Sequence, residues 1–287
     1  MFYLINKPKW ISSFWVLKIL RKKFNLKKIG HTGTLDPLAT WLLLVATLGS
    51  TKLIPYIEKE NKTYIFSFNL DWISPTWDLE WKINYFPQEL IENKKIEITK
   101  DRIEKLIKNK FIWKIKQIPP KFSAIKIDGK RAYESARAWE EIIIKEREIE
   151  IYNIKLIDYN FPTISIEATV SAGTYIRTLA EDIWKELWLG GYVIVLHRSK
   201  IGNIDEVSAR LLDDVEISDN LLENNLFPEF WNTEVTKEQL LDIKNWKELE
   251  FIWLIEWKNY FIIYDNKIES LIEIRDSKAR ILRNWLS

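Results

Sequence analysis

The chain has 287 residues, room for one large domain or two ordinary ones, and it carries 43 Lys+Arg against 41 Asp+Glu. It contains no Cys and only two His, His31 and His197, which excludes disulfides, thiolate chemistry and Cys-based zinc or iron–sulfur sites and argues against a His-rich metal site. No apolar run reaches the roughly 18 residues of a membrane span, and the N-terminus lacks the basic-then-apolar layout of a signal peptide; the expectation is a cytoplasmic globular protein with no metal or cofactor. One count is abnormal: 15 Trp and 8 Gly, where a chain of this length ordinarily has roughly 20 Gly.

The first 30 residues hold eight basic side chains and no acidic ones, leaving 35 basic and 41 acidic beyond them. That local excess is a candidate phosphate-binding surface, with Lys7, Lys9, Arg21, Lys22 and Lys23 as candidate contacts to an RNA backbone; the competing reading is the solvated face of a helix. Helical spacing of Val16, Leu17, Ile19, Leu20 and Phe24, with Ser12 or Ser13 as cap, predicts a helix over 13–24. A Gly-containing loop follows from Gly30 to Asp36. The apolar run 38–48 reads as a buried helix. Residues 63–70, β-branched and aromatic, read as a strand. Amphipathic helices are predicted over 99–110 and 131–144, with an extended Pro119-Pro120 segment between them. Strands are expected over 149–157 and 163–170. Thr174 could cap a helix reaching 187, and 192–196 reads as a short buried strand. The acidic stretch 213–236 reads as a linker. Short strand-like runs at 260–264, 270–274 and 279–282, separated by turn residues, suggest a small β-rich module. The fold class is α+β.

The densest unusual segment is Gly30-His31-Thr32-Gly33-Thr34-Leu35-Asp36-Pro37-Leu38-Ala39-Thr40. Its glycines permit an irregular backbone, and Pro37 holds Asp36 out of the α region. A carboxylate between Leu35 and Leu38 is shielded from water, which strengthens it as a nucleophile or base but requires a cation or hydrogen bonds. On spacing alone, Asp36 could equally cap a helix starting at Pro37.

This segment resembles the catalytic motif of the TruB family, the bacterial tRNA pseudouridine-55 synthases. Other segments resemble the family's motifs in the same order: Asn6-Lys7-Pro8-Lys9 with Ile11-Ser12-Ser13, Lys62-Thr63-Tyr64, Gln117 to Lys126, Gly129 to Glu134, and Ser171-Ala172-Gly173-Thr174-Tyr175-Ile176-Arg177-Thr178. Each is weak alone; the ordered set is specific, covering residues 3 to about 205 closely. The resemblance implies a pseudouridine-synthase catalytic domain over 1–228, with a mostly antiparallel mixed sheet flanked by helices, and a small PUA-like, RNA-contacting module over 229–287. It implies Asp36 as nucleophile, Tyr64 stacked on the target uracil, Arg177 paired with Asp36, Tyr175 and Leu196 lining the uracil pocket, and His31 against the flipped nucleotide. It implies tRNA as partner, through its T-arm stem-loop, and a monomer. The alternative from another class is a non-catalytic RNA-binding protein or tRNA-folding chaperone on the same scaffold, against which the joint presence of Asp36, Tyr64 and Arg177 argues.

The departures from the family pattern share one form. Trp10, Trp41, Trp81, Trp113, Trp139, Trp184 and Trp188 stand where the family usually has Gly, and Trp72 and Trp77 fall at or beside small-residue positions. The reading is that most or all of the Trp are glycine in the natural protein. UGA is read as Gly in some bacterial lineages and as Trp in a different variant code.

Overall fold

A computed structural model describes all residues except 81–83, 124, 128, 139–141, 222, 248, 285 and 287. Its spine is a ten-stranded mixed sheet. Along the main path the strands lie in the order Arg210–Leu211, Phe2–Lys7, Thr40–Thr47, Tyr192–Ile201, Lys62–Asn69, Thr163–Val170, Arg147–Asn160 and Trp113–Gln117. Most neighbours are antiparallel; Thr40–Thr47 meets Tyr192–Ile201 in parallel. Alternation explains the central strand 62–69: Lys62, Tyr64, Phe66 and Phe68 point to one buried side, the period-2 pattern of a strand with a packed face. Phe66 and Phe68 sit in the main core with Val193 and Ile183. Tyr64 ends that row, where the core gives way to a cavity.

Helix Ser13–Lys23 forms where expected, capped by Ser12, whose side chain accepts from the Trp15 amide. Helix Lys100–Lys110 is capped in the same way by Thr99. Three expectations fail. The run 38–48 is not a helix but the strand Thr40–Thr47, paired on both sides and buried along Leu42–Thr47. A continuous apolar run suits a strand covered on both faces as well as a buried helix, and here the partners come from residues 2–7 and 192–201. The helix expected over 131–144 is only Ala132–Arg137, with 139–141 outside the described residues. Thr174 is not a cap: helix Ile176–Glu186 starts after Tyr175 without a side-chain cap.

The stretch read as a linker contains a helical turn at Glu223–Leu226 and the strand Trp231–Glu234, which opens a second, four-stranded sheet with Asn259–Tyr264, Lys267–Arg275 and Lys278–Asn284. Helix Lys237–Lys244 packs on it through Leu240 and Ile243. This module shares an apolar cluster with the large sheet: Phe261, Leu271 and Leu286 meet Phe2, Leu4, Leu44 and Phe227. Among the described residues, no helix is long and apolar enough to cross a membrane.

Seven Trp, namely Trp10, Trp41, Trp77, Trp113, Trp188, Trp246 and Trp257, have φ between 59° and 76°. Trp81, Trp139 and Trp285 lie outside the described residues. Left-handed backbone costs an L-residue about 1–2 kcal/mol, so seven such sites would together approach a total stability of roughly 5–15 kcal/mol. Most of these rings also gain little in return, since Trp10, Trp113, Trp188, Trp246 and Trp257 are exposed. Replacing Trp10, Trp113 and Trp257 together with Gly is expected to raise the thermal midpoint by about 5 °C or more. A thermal melt showing an unchanged or lower midpoint would contradict this.

Candidate active site

Asp36 lies in a loop fixed at both ends. Ser13 receives the Leu35 amide on its Oγ at 2.9 Å, and its hydroxyl donates to the Leu35 carbonyl at 3.2 Å. Just past Asp36, the Pro37 carbonyl accepts from the Trp10 amide at 2.7 Å and from Lys7 Nζ at 3.2 Å. Lys7 also donates to the carbonyls of Pro8 and Ile11, at 2.9 and 2.6 Å, and is fully buried. Burial lowers its pKa to about 8. Lys7 therefore does not reach an RNA phosphate; it ties the N-terminal strand to the Asp36 loop.

Arg177 enters from the opposite side, on the first turn of helix Ile176–Glu186. Its Nε donates to Asp36 Oδ2 at 2.8 Å and its Nη2 to Oδ1 at 3.1 Å, the bidentate fork that suits a carboxylate. The remaining donors are also engaged. Nη1 donates to the Thr76 carbonyl at 3.0 Å, and Nη2 to the Phe122 carbonyl at 2.8 Å. Asp78 Oδ2 lies 3.4 Å from Nη1. Asp78 is fully buried and is oriented by the Thr76 hydroxyl (2.7 Å) and the Glu80 amide (3.0 Å) on Oδ1. Burial raises the Asp78 pKa, with Arg177 acting in the other direction. The two carboxylates outweigh the desolvation of Arg177 and raise its pKa.

The Asp36 carboxylate faces a cavity of about 400 Å³ lined also by Lys62, Tyr64, Arg147, Tyr175, Ile176, Leu196 and Arg198. Tyr64 and Leu196 come from neighbouring strands, and Tyr64 pairs with Arg198 in the register. Tyr175 is placed by Gln117, whose amide accepts from the Tyr175 N–H at 2.8 Å and donates to its carbonyl at 3.0 Å. Burial raises the Tyr175 pKa. Burial also lowers the Lys62 pKa to about 8, and its ammonium donates to the carbonyls of Glu58 and Glu60. Arg198, almost fully buried, donates to the Leu42 carbonyl at 2.9 Å and to that of Gly33 at 3.4 Å. Gly33 has φ 86°, a conformation only glycine takes without strain.

The structure thus brings Asp36, Tyr64, Tyr175, Arg177 and Leu196 together. His31 ends a short strand Ile29–His31 beside Thr40–Thr47; the cavity lining begins two residues on, at Gly33. Lys9, Arg21, Lys22 and Lys23 are exposed on and before the first helix. Sequence reading missed Asp78, Arg147 and Arg198. Asp78 offered one signal, an acid between Trp77 and Leu79. Among the described residues no group of acids and histidines could hold a metal.

With this geometry in hand, comparison with known proteins is decisive. Residues 21–176 match the TruB family pseudouridylate synthase N-terminal domain. The chain belongs to the TruB family of pseudouridine synthases. The tRNA pseudouridine synthase B of Mycoplasma mobile is 36% identical over 281 residues, covering 95% of this chain and 93% of the relative. That of Fusobacterium nucleatum is 43% identical, covering 69% of this chain and 66% of the relative. In fold, the chain is similar to a structure described as a Cbf5-Nop10-Gar1 complex, with TM-score 0.68, 19% identity, and coverage of 99% of this chain and 83% of that one.

Two substitutions separate structural from electrostatic roles in this TruB site. Arg177→Met leaves the buried Asp78 and the partly open Asp36 without their cation and is expected to destabilise the fold by about 3–5 kcal/mol; adding Asp78→Asn should recover part of that loss in urea denaturation. Lys7→Met leaves the Pro8 and Ile11 carbonyls without their donor and takes one of two donors from Pro37, and is expected to cost about 2 kcal/mol or more, with no change in the salt dependence of RNA binding. A reduced salt slope at full stability would return Lys7 to the RNA surface.

Proposed function

We propose that this chain converts uridine 55, in the T-arm of tRNA, to pseudouridine, with Asp36 as nucleophile. The observation that carries the proposal is the Asp36 carboxylate, gripped by a buried Arg177 and facing a cavity lined by two tyrosines and Leu196. The relatives' names support tRNA as the substrate class.

The reaction breaks the N1–C1′ bond, turns the uracil and joins C5 to C1′. The C5 proton leaves, and N1 ends protonated. No redox change occurs and no group is transferred to another molecule. A carboxylate can assist by attacking C1′ of the ribose or C6 of the base, and either adduct releases Asp36 unchanged. Arg177 holds the Asp36 carboxylate aimed through two hydrogen bonds, so little reorganisation is needed at the moment of attack. The target base must first leave its stack, at a cost of a few kcal/mol. Stacking on Tyr64 recovers part of that. Tyr175 and Leu196 bound the slot that accepts the base. The exposed Lys9, Arg21, Lys22 and Lys23 add sequence-independent attraction for phosphates.

The test is an unmodified tRNA transcript incubated with the protein, with pseudouridine mapped along its length. Pseudouridine at position 55, absent from a transcript carrying cytidine there, is the expected result. A transcript that is bound but unconverted would overturn the enzyme reading in favour of an RNA-binding or RNA-folding protein. Conversion elsewhere would overturn the choice of substrate position.

A further inference from the structure

Arg147 opens the strand Arg147–Asn160 and lines the Asp36 cavity. Its guanidinium lies against the Tyr175 ring, 4.7 Å from the ring centroid. On the other side it passes Gly173, where an added Cβ would sit 3.5 Å from Nη1; Gly173 has φ 85°. Nε and Nη2 are shielded from water and have no hydrogen-bond partner among the described residues. Nor is the charge paired among the described residues: the adjacent acids turn away, Glu146 to Lys116 at 2.7 Å and Glu148 to Lys114 at 3.0 Å. A buried donor left unmade is costly, and a charged one more so. Nε–H and Nη2–H together form the side-on edge of the guanidinium, which matches two oxygens of one anion.

We propose that Arg147 binds a phosphodiester flanking the target nucleotide: as the RNA seats, the guanidinium turns out of its shielded position and its Nε and Nη2 take the two non-bridging oxygens. This rests on the reading of the cavity as an RNA site. An uncompensated positive charge favours a phosphate over a neutral uracil carbonyl, and stacking on Tyr175 links the seating of the backbone to the wall of the base slot. The test titrates a T-arm stem-loop against the wild-type protein, Arg147→Met and Arg147→Lys at several salt concentrations. It repeats the titrations with stem-loops carrying one neutral methylphosphonate at each phosphate around the target. Arg147→Met is expected to weaken binding about 10- to 100-fold and to lower the log–log salt slope by about 0.7. One methylphosphonate should weaken wild-type binding and have little further effect in Arg147→Met. Should Arg147→Met fail to fold by circular dichroism, the same non-additivity is sought in Arg147→Lys, which keeps the charge and loses the fork. Additive losses at every phosphate, or unchanged affinity, would overturn the proposal. Pseudouridine formation by the wild-type protein in parallel keeps a failure of this inference distinct from a failure of the RNA reading.

A second inference stands on the backbone alone. Thirteen of the described residues other than glycine have positive φ. Six are Asn, Asp, Ser or Leu, and Asn and Asp are residues that tolerate the left-handed region. The other seven are Trp, which has no such tolerance. Trp15, Trp72, Trp184, Trp231 and Trp253 take ordinary backbone. We infer that the protein made in its own cell carries glycine at Trp10, Trp41, Trp77, Trp113, Trp188, Trp246 and Trp257. Trp41 adds a sign of misfit, an indole N–H buried without a partner. Reading UGA as Gly would produce this substitution at scattered sites. Peptide mass spectrometry of the protein isolated from its source is expected to show Gly at these seven positions, with UGA codons in the gene. Trp-containing peptides or UGG codons at these positions would overturn the inference.

Discussion

Everything at the centre of this molecule is arranged around one guanidinium. Arg177 is buried, and it is affordable there only because two carboxylates and two backbone carbonyls meet its donors. Those partners come from three separate stretches of chain, the Asp36 loop, Thr76–Asp78 and Phe122, and the helix bearing Arg177 joins them. A charge held in this way fixes their relative positions. Asp78 takes no part in facing the cavity; it balances charge from behind, leaving Asp36 partly open in front.

The same logic of unavoidable partners runs outward. The Asp36 loop cannot drift because Lys7, Ser13 and Trp10 hold its backbone from the N-terminal segment. Gln117 fixes the backbone of Tyr175, and Arg147 pairs beside Gln117 in the sheet. The sheet brings Tyr64, Leu196 and Arg198 to one face through strand alternation. Hydrogen bonds to backbone therefore set the cavity's walls, while its chemistry rests on side chains. That division leaves Arg147, whose donor edge serves neither purpose in the free chain.

What could be read in the sequence follows from range. Local signals were legible: the cap at Ser12 or Ser13, the amphipathic helix at 99–110, the strand at 63–70, and the turn-separated strands after 258. The strand at 40–47 was not, because a solid apolar run carries no period, and its partners lie tens to more than a hundred residues away. Lys7 counted as surface charge in a basic stretch, yet it is buried against the carbonyls of Pro8, Ile11 and Pro37, the last 30 residues away in sequence. The Asp36–Arg177 pair spans 141 residues, so no spacing argument reaches it; resemblance to the TruB family did. Asp78 gave little local signal because its cation, Arg177, is also remote in sequence. Trp77 and six other Trp stand out because they need a backbone conformation that suits glycine.

The central claim is that Asp36, held by Arg177, is the group that attacks the target nucleotide. The most direct measurement is single-turnover release of tritium from tRNA carrying 5-tritiated uridine, comparing wild type with Asp36→Asn under conditions where both bind. Asn keeps the size and can still accept from Arg177, but it is a poor nucleophile. The account expects release to fall by about 10³-fold or more with binding retained. Release at a rate close to wild type would show that the carboxylate is not the nucleophile.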